Sequence, residues 1–490
     1  MANTRELHPA STSSAPRLAP WALAFCTLLF LSNADSQTGA CISTWDPPVR
    51  ISHDSLPSIR PRLAVSGDTL YIFWYGLDTL GTVAADGIQY SVSYDGGRTF
   101  SPERVLVSMD TAFAPGLVAA AGNTVYVTFL AAADTFYGTA LMRSTDAGAT
   151  WGPIQRLARG TQPVGITAMD SFVDVQSADP ARGLHTSLHS TDFGISYSVN
   201  RSPGLRSLVS TRNALHALSV ESSERTNEIG YWYSDNLGFD WFGPELISRE
   251  DPVNSDLPSL AVNGQENLFA SWNDDGTIMF RRSLNAGYSW IGQVSLGGGG
   301  GAQLSSVGSD EEFVCVAWDL AAGSGIAIRG SNNFGQTFCS AESITTGRSC
   351  GEPSLAIRGT ILHAVWWEDP DGVNREIMYR RAELTPNPDL PNGPPRTFRL
   401  RQNYPNPFNA VTHIVYDVPK PAHVRVTIFN VLGELISTLV DEFQPTRRYD
   451  LPFDMGGYPS GMYFYRLTAV SEDNGAAESF TEVKKLLLIR

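Results

Sequence analysis

Along the chain, apolar and polar positions repeat one pattern. In RLAVSGDTLYIFWY (62–75), SLAVNGQENLFASW (259–272) and SLAIRGTILHAVWW (354–367), a short alternating run ends at a glycine-containing turn, and a second run then closes on aromatic residues. Alternation at every second residue predicts strands, and the glycine predicts a tight hairpin between them. A third run follows each pair, as in Gly87–Val92 or Ile278–Arg282, and then a shorter fourth, as in SPERVLVS from Ser101 or GPELIS from Gly243. None of this region carries a helical period.

Between the third and fourth runs stands an octet. It reads SYDGGRTF from Ser93, STDAGATW from Ser144, STDFGISY from Ser190, SDNLGFDW from Ser234, SLNAGYSW from Ser283 and SNNFGQTF from Ser331. These serines lie 44 to 51 positions apart, which is the spacing of a repeat architecture. The third residue is Asp95, Asp146, Asp192, Asn236, Asn285 or Asn333. Such a side chain accepts backbone N–H groups in a tight turn, and the glycine at the fifth position supplies a positive φ. Asn cannot serve as a carboxylate acid, base or nucleophile, so the octet is read as structural. The octets resemble the Asp-box, or bacterial neuraminidase repeat, of the sialidase superfamily. That resemblance implies an all-β propeller whose blades are four-stranded antiparallel sheets, with the box joining the third and fourth strands.

The strand pattern occurs a seventh time, at Pro353–Arg381, with no octet after it, while Trp45–Ser52 reads as an orphan fourth strand. Seven blades are therefore expected, closed by pairing of 45–52 with residues near 376–383; the six blades of true sialidases are the alternative. Alternation of the strands puts the octets and the turns of Gly67, Gly122, Gly264 and Gly359 on one face. Asp274, Asp275, Asp319, Glu368, Asp369 and Asp371 fall on the other, with Asp54, Asp110 and Asp256 in the segments between blades, and that face is the expected ligand side. A sialidase, as the resemblance implies, holds a sugar carboxylate with three arginines and uses a Tyr/Glu pair and an acidic proton donor. Ser58-Ile59-Arg60-Pro61 stands where the family has Arg-x-Pro, with the intervening residue missing, so Arg60 is the weak catalytic candidate. No second or third arginine matches. Glu376 and Tyr379 are spaced to opposite faces of a strand. A non-catalytic glycan- or protein-binding module is therefore the leading reading, and a sialidase-like glycoside hydrolase the alternative.

Composition narrows the setting. A net charge of −15 and a pI near 5.0 exclude nucleic acid as a natural partner. Arg5 and Arg17, the apolar run Trp21–Leu31 and the small residues to Ala34 predict a signal peptide over 1–34. The run is too short to span a bilayer, so no membrane-spanning segment is expected in the mature chain. Cys26 leaves with that peptide. Cys41, Cys315, Cys339 and Cys350 remain, and Cys339 is expected to approach Cys350, with Cys41 the competitor for either. No cysteine or histidine spacing points to a metal, and nothing points to a cofactor. The glycines after Leu296 are expected to form a loop between blades.

The propeller is expected over 41–383, followed by a Pro-rich linker over 384–397 containing TPNPDLPNGPPR. Over 398–490 come, in order, Asn403–Asn409 (NYPNPFN), Phe429–Gly433, Pro459–Arg466 and Lys484–Arg490, among alternating runs such as Val411–Val418. The segment reads as a small β-sandwich. Its motifs resemble the C-terminal sorting domain of type IX secretion, which is Ig-like. The resemblance implies recognition by the type IX translocon and a secreted or outer-membrane-surface location.

Overall fold

The computed structural model describes residues 41–489 apart from 54–56, 77–86, 109–111, 134, 212–213, 223–225, 250, 299–301, 303, 346–348, 370–371, 373, 388–397, 401–402, 404–405, 446 and 474–475. The expected signal peptide and most of the expected linker thus lie outside the described residues.

Seven antiparallel sheets are found among the described residues up to Leu384. Sheet 1 comprises Ser58–Ser66, Thr69–Gly76, Gly87–Ser93 and Arg104–Val107; sheet 2, Ala112–Ala121, Thr124–Ala133, Phe136–Ser144 and Gln155–Arg159. Sheet 3 comprises Gln162–Met169, Phe172–Asp179, Leu184–Ser190 and Ser198–Arg201; sheet 4, Leu205–Ser210, Leu215–Ser222, Asn227–Ser234 and Phe242–Leu246. Sheet 5 comprises Ser255–Val262, Leu268–Asp274, Thr277–Ser283 and Ile291–Gly298; sheet 6, Ser305–Asp310, Phe313–Asp319, Ile326–Ser331 and Glu342–Ser343. Sheet 7 is built from Cys350–Arg358, Ile361–Glu368 and Glu376–Leu384, and its outer edge is supplied by Ile42–Trp45 and Val49–Arg50. The first strand of each sheet packs on that of the next, and Cys350–Arg358 packs on Ser58–Ser66, so the circle closes.

The second strand of each sheet is largely buried, because neighbouring sheets cover both of its faces. Trp74, Trp272, Trp318 and Trp366 recur near its end and are all fully buried. Such rings each bury a large apolar area and dominate the packing between sheets.

The N-terminal segment completes sheet 7 through Ile42–Leu384, Trp45–Ala382 and Val49–Tyr379 pairings. The pairing continues where Ile51 N–H donates to Ile377 O at 2.8 Å. Arg50 is ion-paired with the buried Glu376 carboxylate, to which Ser52 Oγ also donates at 2.6 Å. The Trp45 indole N–H donates to Glu342 in sheet 6 at 3.2 Å, so this strand also ties adjacent sheets.

All six octets fold alike. The first-position Ser Oγ accepts the fifth-position Gly N–H at 2.8–3.0 Å and donates to the Asp or Asn Oδ1 at 2.6–2.9 Å. That oxygen also accepts the seventh-position N–H at 2.9–3.0 Å. In the Asp octets the hydroxyl of Thr99, Thr150 or Ser196 donates to the second carboxylate oxygen at 2.6 Å. In the Asn octets the direction reverses, and the amide donates to Asp240, Ser289 or Thr337 at 2.8–2.9 Å. These bonds hold the exposed carboxylates below the usual range: Thr99 leads at Asp95, Ser190 at Asp192, and Ser144 at Asp146, which falls to about 2. The fifth-position glycine has a second duty. A Cβ on Gly97 would lie 1.8 Å from the Tyr379 hydroxyl, and one on Gly287 equally close to that of Tyr231, so each octet presses on the preceding sheet.

Two expectations fail here. Cys339 bonds to Cys41, with their Cα atoms 5.9 Å apart, while Cys315 and Cys350 are buried free thiols. Cys339 N–H donates to Gly330 O, placing it at the outer side of sheet 6, next to the N-terminal strand on the outer edge of sheet 7. Cys350 instead opens the inner strand of sheet 7, opposite Glu368. The second failure holds for part of the glycine run: Gly297 and Gly298 still belong to the last strand of sheet 5, paired with Ile278 and Thr277, while residues 299–301 lie outside the described residues.

Beyond residue 398 two further sheets form, Arg399–Leu400/Val411–Val418/Arg447–Asp454 and Leu435–Gln444/Ala422–Phe429/Gly461–Asp473/Ala476–Leu488. Their inward residues, including Ile414, Tyr416, Val426, Tyr465 and Leu486, make one buried cluster drawn only from this segment. The sequence motifs are its tie points. Asn403 N–H donates to the Tyr465 hydroxyl at 2.7 Å, Asn406 Oδ1 accepts Leu487 N–H at 2.9 Å, and Phe408 donates its N–H to Leu487 O at 3.0 Å while its own carbonyl accepts Ile489 N–H at 2.9 Å.

Candidate functional site

The first strands of the ring begin on the face opposite the octets, and in three of them a bulge sets a residue of positive φ directly before a proline. Arg60-Pro61, Leu257-Pro258 and Glu352-Pro353 occupy matching places, and the residue before each proline has a φ of 53–57°. The register slips at each, between Ile59 and Arg62, Asp256 and Ser259, and Gly351 and Ser354. Because a bulge re-aims the backbone at a strand end, the N–H groups at Arg60 and Glu352 become available to side chains of the neighbouring sheet.

A chain of contacts results. Glu352 N–H donates to Asp319 Oδ1 at 3.0 Å, and Arg60 N–H donates to Glu352 Oε2 at 2.7 Å. The half-exposed Arg60 guanidinium stands 3.9 Å from Glu352 Oε1. Sheets 6, 7 and 1 are thereby joined at the mouth of the ring. Burial pushes the Asp319 carboxyl up to about 7; the Glu352 N–H bond opposes this and the Glu352 charge adds to it. Burial also lowers the Arg62 guanidinium, against the pull of Glu352 and with the repulsion of Arg60. Tyr75, raised by burial and countered by Arg60, completes the cluster.

Asp274 belongs to a different group, at sheets 4 and 5. Its Oδ1 accepts the Ser255 hydroxyl at 3.0 Å, and its pKa is raised first by burial, then by Asp251, Glu228 and Asp275. Asp275, with a φ of 46°, forms the tight turn into the third strand of sheet 5. Glu368 is buried and accepts the Trp366 indole N–H at 2.9 Å. Asp369 is anchored by its backbone to Ser349. Asp54, Asp110 and Asp371 lie outside the described residues. Among the described residues the expected acids thus share a face without converging on one point, and of these only Asp319 joins Arg60. Tyr379 turns its hydroxyl to His363 Nδ1 at 2.8 Å, away from Glu376, as the strand spacing predicts.

Glu352, Arg62 and Tyr75 went unrecognised in the sequence. The signal for Glu352 was present, since it precedes the proline in CGEPSLAI as Arg60 does in SIRPRLAV and Leu257 in SDLPSLAV.

Comparison with known proteins bears on the tail first. Residues 402–476 match the family described as the secretion system C-terminal sorting domain. This match implies export to a secreted or cell-surface compartment by type IX secretion, with the sorting domain engaging that machinery. No curated protein matches the chain in sequence. Among solved structures, the chain is similar to a protein of unknown function from Dyadobacter fermentans, at 12% identity and a TM-score of 0.46 over 70% of this chain and 99% of that one. It is also similar to the endosialidase of phage phi92, at 9% identity and a TM-score of 0.44 over 80% and 74% of the two chains. For Trypanosoma rangeli sialidase the values are 10% and 0.39, over 90% and 88%. Among the described residues the chain is all-β, built from antiparallel sheets that are mostly four-stranded.

Proposed function

We propose that the seven sheets are the blades of an Asp-box propeller that binds a glycan, or a protein ligand at the cell surface, without catalysing its hydrolysis, after export directed by the sorting domain. The observation that carries this reading is the occupation of Arg60. Its guanidinium and backbone N–H both face Glu352, so the group that would grip a sugar carboxylate is committed within the protein. The surrounding charge points the same way. Asp319, Glu352 and the Asp274 group make the face acidic, which disfavours sialic acid and suits a neutral ligand. Glu376, bonded to Arg50 and Ser52, and Tyr379, bonded to His363, are likewise engaged elsewhere. A glycan array carrying neutral and sialylated glycans, run beside fluorogenic glycosides, tests the reading. Neutral glycans are expected to bind, with no turnover; turnover abolished by Arg60→Ala overturns it.

One observation favours the hydrolase alternative. A carboxyl with its pKa pushed up to about 7 is protonated at lower pH and can donate to a leaving group. If Asp319 acts so, activity is high below about pH 7, falls as pH rises through that value, and drops at least ~100-fold in Asp319→Asn.

A further inference from the structure

The outward face of the tail's four-stranded sheet carries an apolar row at one end. Along Ala422–Phe429, Val424, Val426 and Ile428 turn into the buried cluster, so the alternate positions turn outward. Phe429 holds the last of these outward positions, opposite Leu435 on one neighbouring strand and Phe464 on the other. Phe464 stands between the inward Tyr463 and Tyr465, and Met462 shares its outward side. The two phenylalanines are half-buried, while Leu435 is 59% and Met462 45% exposed. Among the described residues, the inner cluster includes none of these four side chains.

The turn after Phe429 extends the row. In Asn430-Val431-Leu432-Gly433-Glu434, Asn430 Oδ1 accepts the N–H groups of Leu432 and Glu434 at 3.0 Å, and its amide donates to Glu434 Oε2 at 2.6 Å. Asn430 N–H donates to Glu434 O at 3.1 Å, Gly433 N–H to Asn430 O at 3.0 Å, and Gly433 takes a φ of 78°. Asparagine and glycine thus hold the turn in one shape. At its tip, however, Val431 is 64% and Leu432 79% exposed, so neither side chain serves the core. Arg466, whose guanidinium lies 4.6 Å from the centre of the Phe429 ring, and Lys485, opposite Phe464, give the row a cationic border.

We propose that this row and the Val431-Leu432 tip are the surface by which the tail docks on the type IX export machinery, against an apolar groove with carboxylates at its rim. The proposal rests on the reading that the tail directs export. The sorting-family match over 402–476 takes in the whole turn together with Phe429, Leu435, Met462 and Phe464, so the surface lies within the part of the chain that engages that machinery. Exposed apolar side chains gathered in one place mark an interaction site. An apolar centre with a charged border is the anatomy of a protein interface. Because the turn is already held by its own hydrogen bonds, docking orders little chain and loses little entropy.

Export of the full chain from a host with type IX machinery, read by fractionation beside a chain lacking 398–490, tests the proposal. The double change Val431→Ser and Leu432→Ser is expected to lower the exported fraction about tenfold or more, with the unfolding midpoint of the purified full chain unchanged. Leu432→Met, which keeps the tip apolar, should retain export. So should Phe443→Ser, at a 67% exposed position opposite His423, at the other end of the strand that begins with Leu435. If the double variant is exported at the unaltered level while the truncated chain is held back, the docking surface lies elsewhere and the export reading stands. Export of the truncated chain overturns that reading and the proposal with it. A purified full chain that sediments as a dimer, dissociated by the double change with export intact, makes this face an interface between copies and overturns the proposal as well.

Discussion

At the scale of single residues, the octets show how a repeat tolerates change by changing partners together. Asn236 faces Asp240 across the turn, and its amide donates to the Asp240 carboxylate at 2.8 Å. An aspartate at 236 would put two carboxylates in that place and lose the bond. Asn236→Asp is expected to cost about 1 kcal/mol in denaturant-induced unfolding, as befits an exposed bond and a like-charge pair. Adding Asp240→Thr recreates the arrangement of Asp146 and Thr150, where the hydroxyl donates to the carboxylate, and should recover most of the loss. An additive cycle would show that the two positions do not communicate. The octet turn itself was legible in the sequence, because Ser, Asx and Gly each carry one local task. The coupling of positions three and seven was not, since Asp, Ser and Thr at position seven look interchangeable until the direction of the bond is seen.

At the scale of strands, alternation gave the element types, and the placing of the N-terminal segment against 376–384 followed from counting unpaired strands. The cysteines resisted because sequence order says little about which side of a sheet a residue occupies. Cys339 and Cys350 are neighbours in the chain, yet one lies at the outer side of its sheet and the other opens the inner strand of the next. The Cys41–Cys339 bond joins residues 298 apart, fastening the closing strand to sheet 6. Titration of unreduced, denatured protein is therefore expected to find two thiols among Cys41, Cys315, Cys339 and Cys350. Cys339→Ser should lower stability by up to about 5 kcal/mol, the upper end of what a native disulfide contributes. Loss is expected to be largest in protein that also lacks the Arg50 partner of buried Glu376, because both changes loosen the same edge. Four free thiols would remove the bond from the account of ring closure.

At the scale of the molecule, the chain joins a closed ring of sheets to a tail that matches a sorting family. The general division was readable because the tail motifs are local and ordered. The site was less so, because Arg60 comes from the opposite end of the ring sequence to Glu352 and Asp319 and meets them only when the ring closes. The tail's buried cluster uses its own residues, from Leu400 to Leu488, and the ring's closing contacts are made before residue 386. Neither core therefore needs the other in order to form. Removal of 398–490 is expected to leave the ring's unfolding midpoint within a few degrees of that of the full chain, read by calorimetry. In a host with type IX machinery, the same truncation should hold the folded ring in the periplasm, read by fractionation and by the unfolding midpoint of the retained protein. A truncated chain that reaches the medium at full yield would overturn the sorting role of the tail, and a ring that no longer folds would show that the two cores depend on each other.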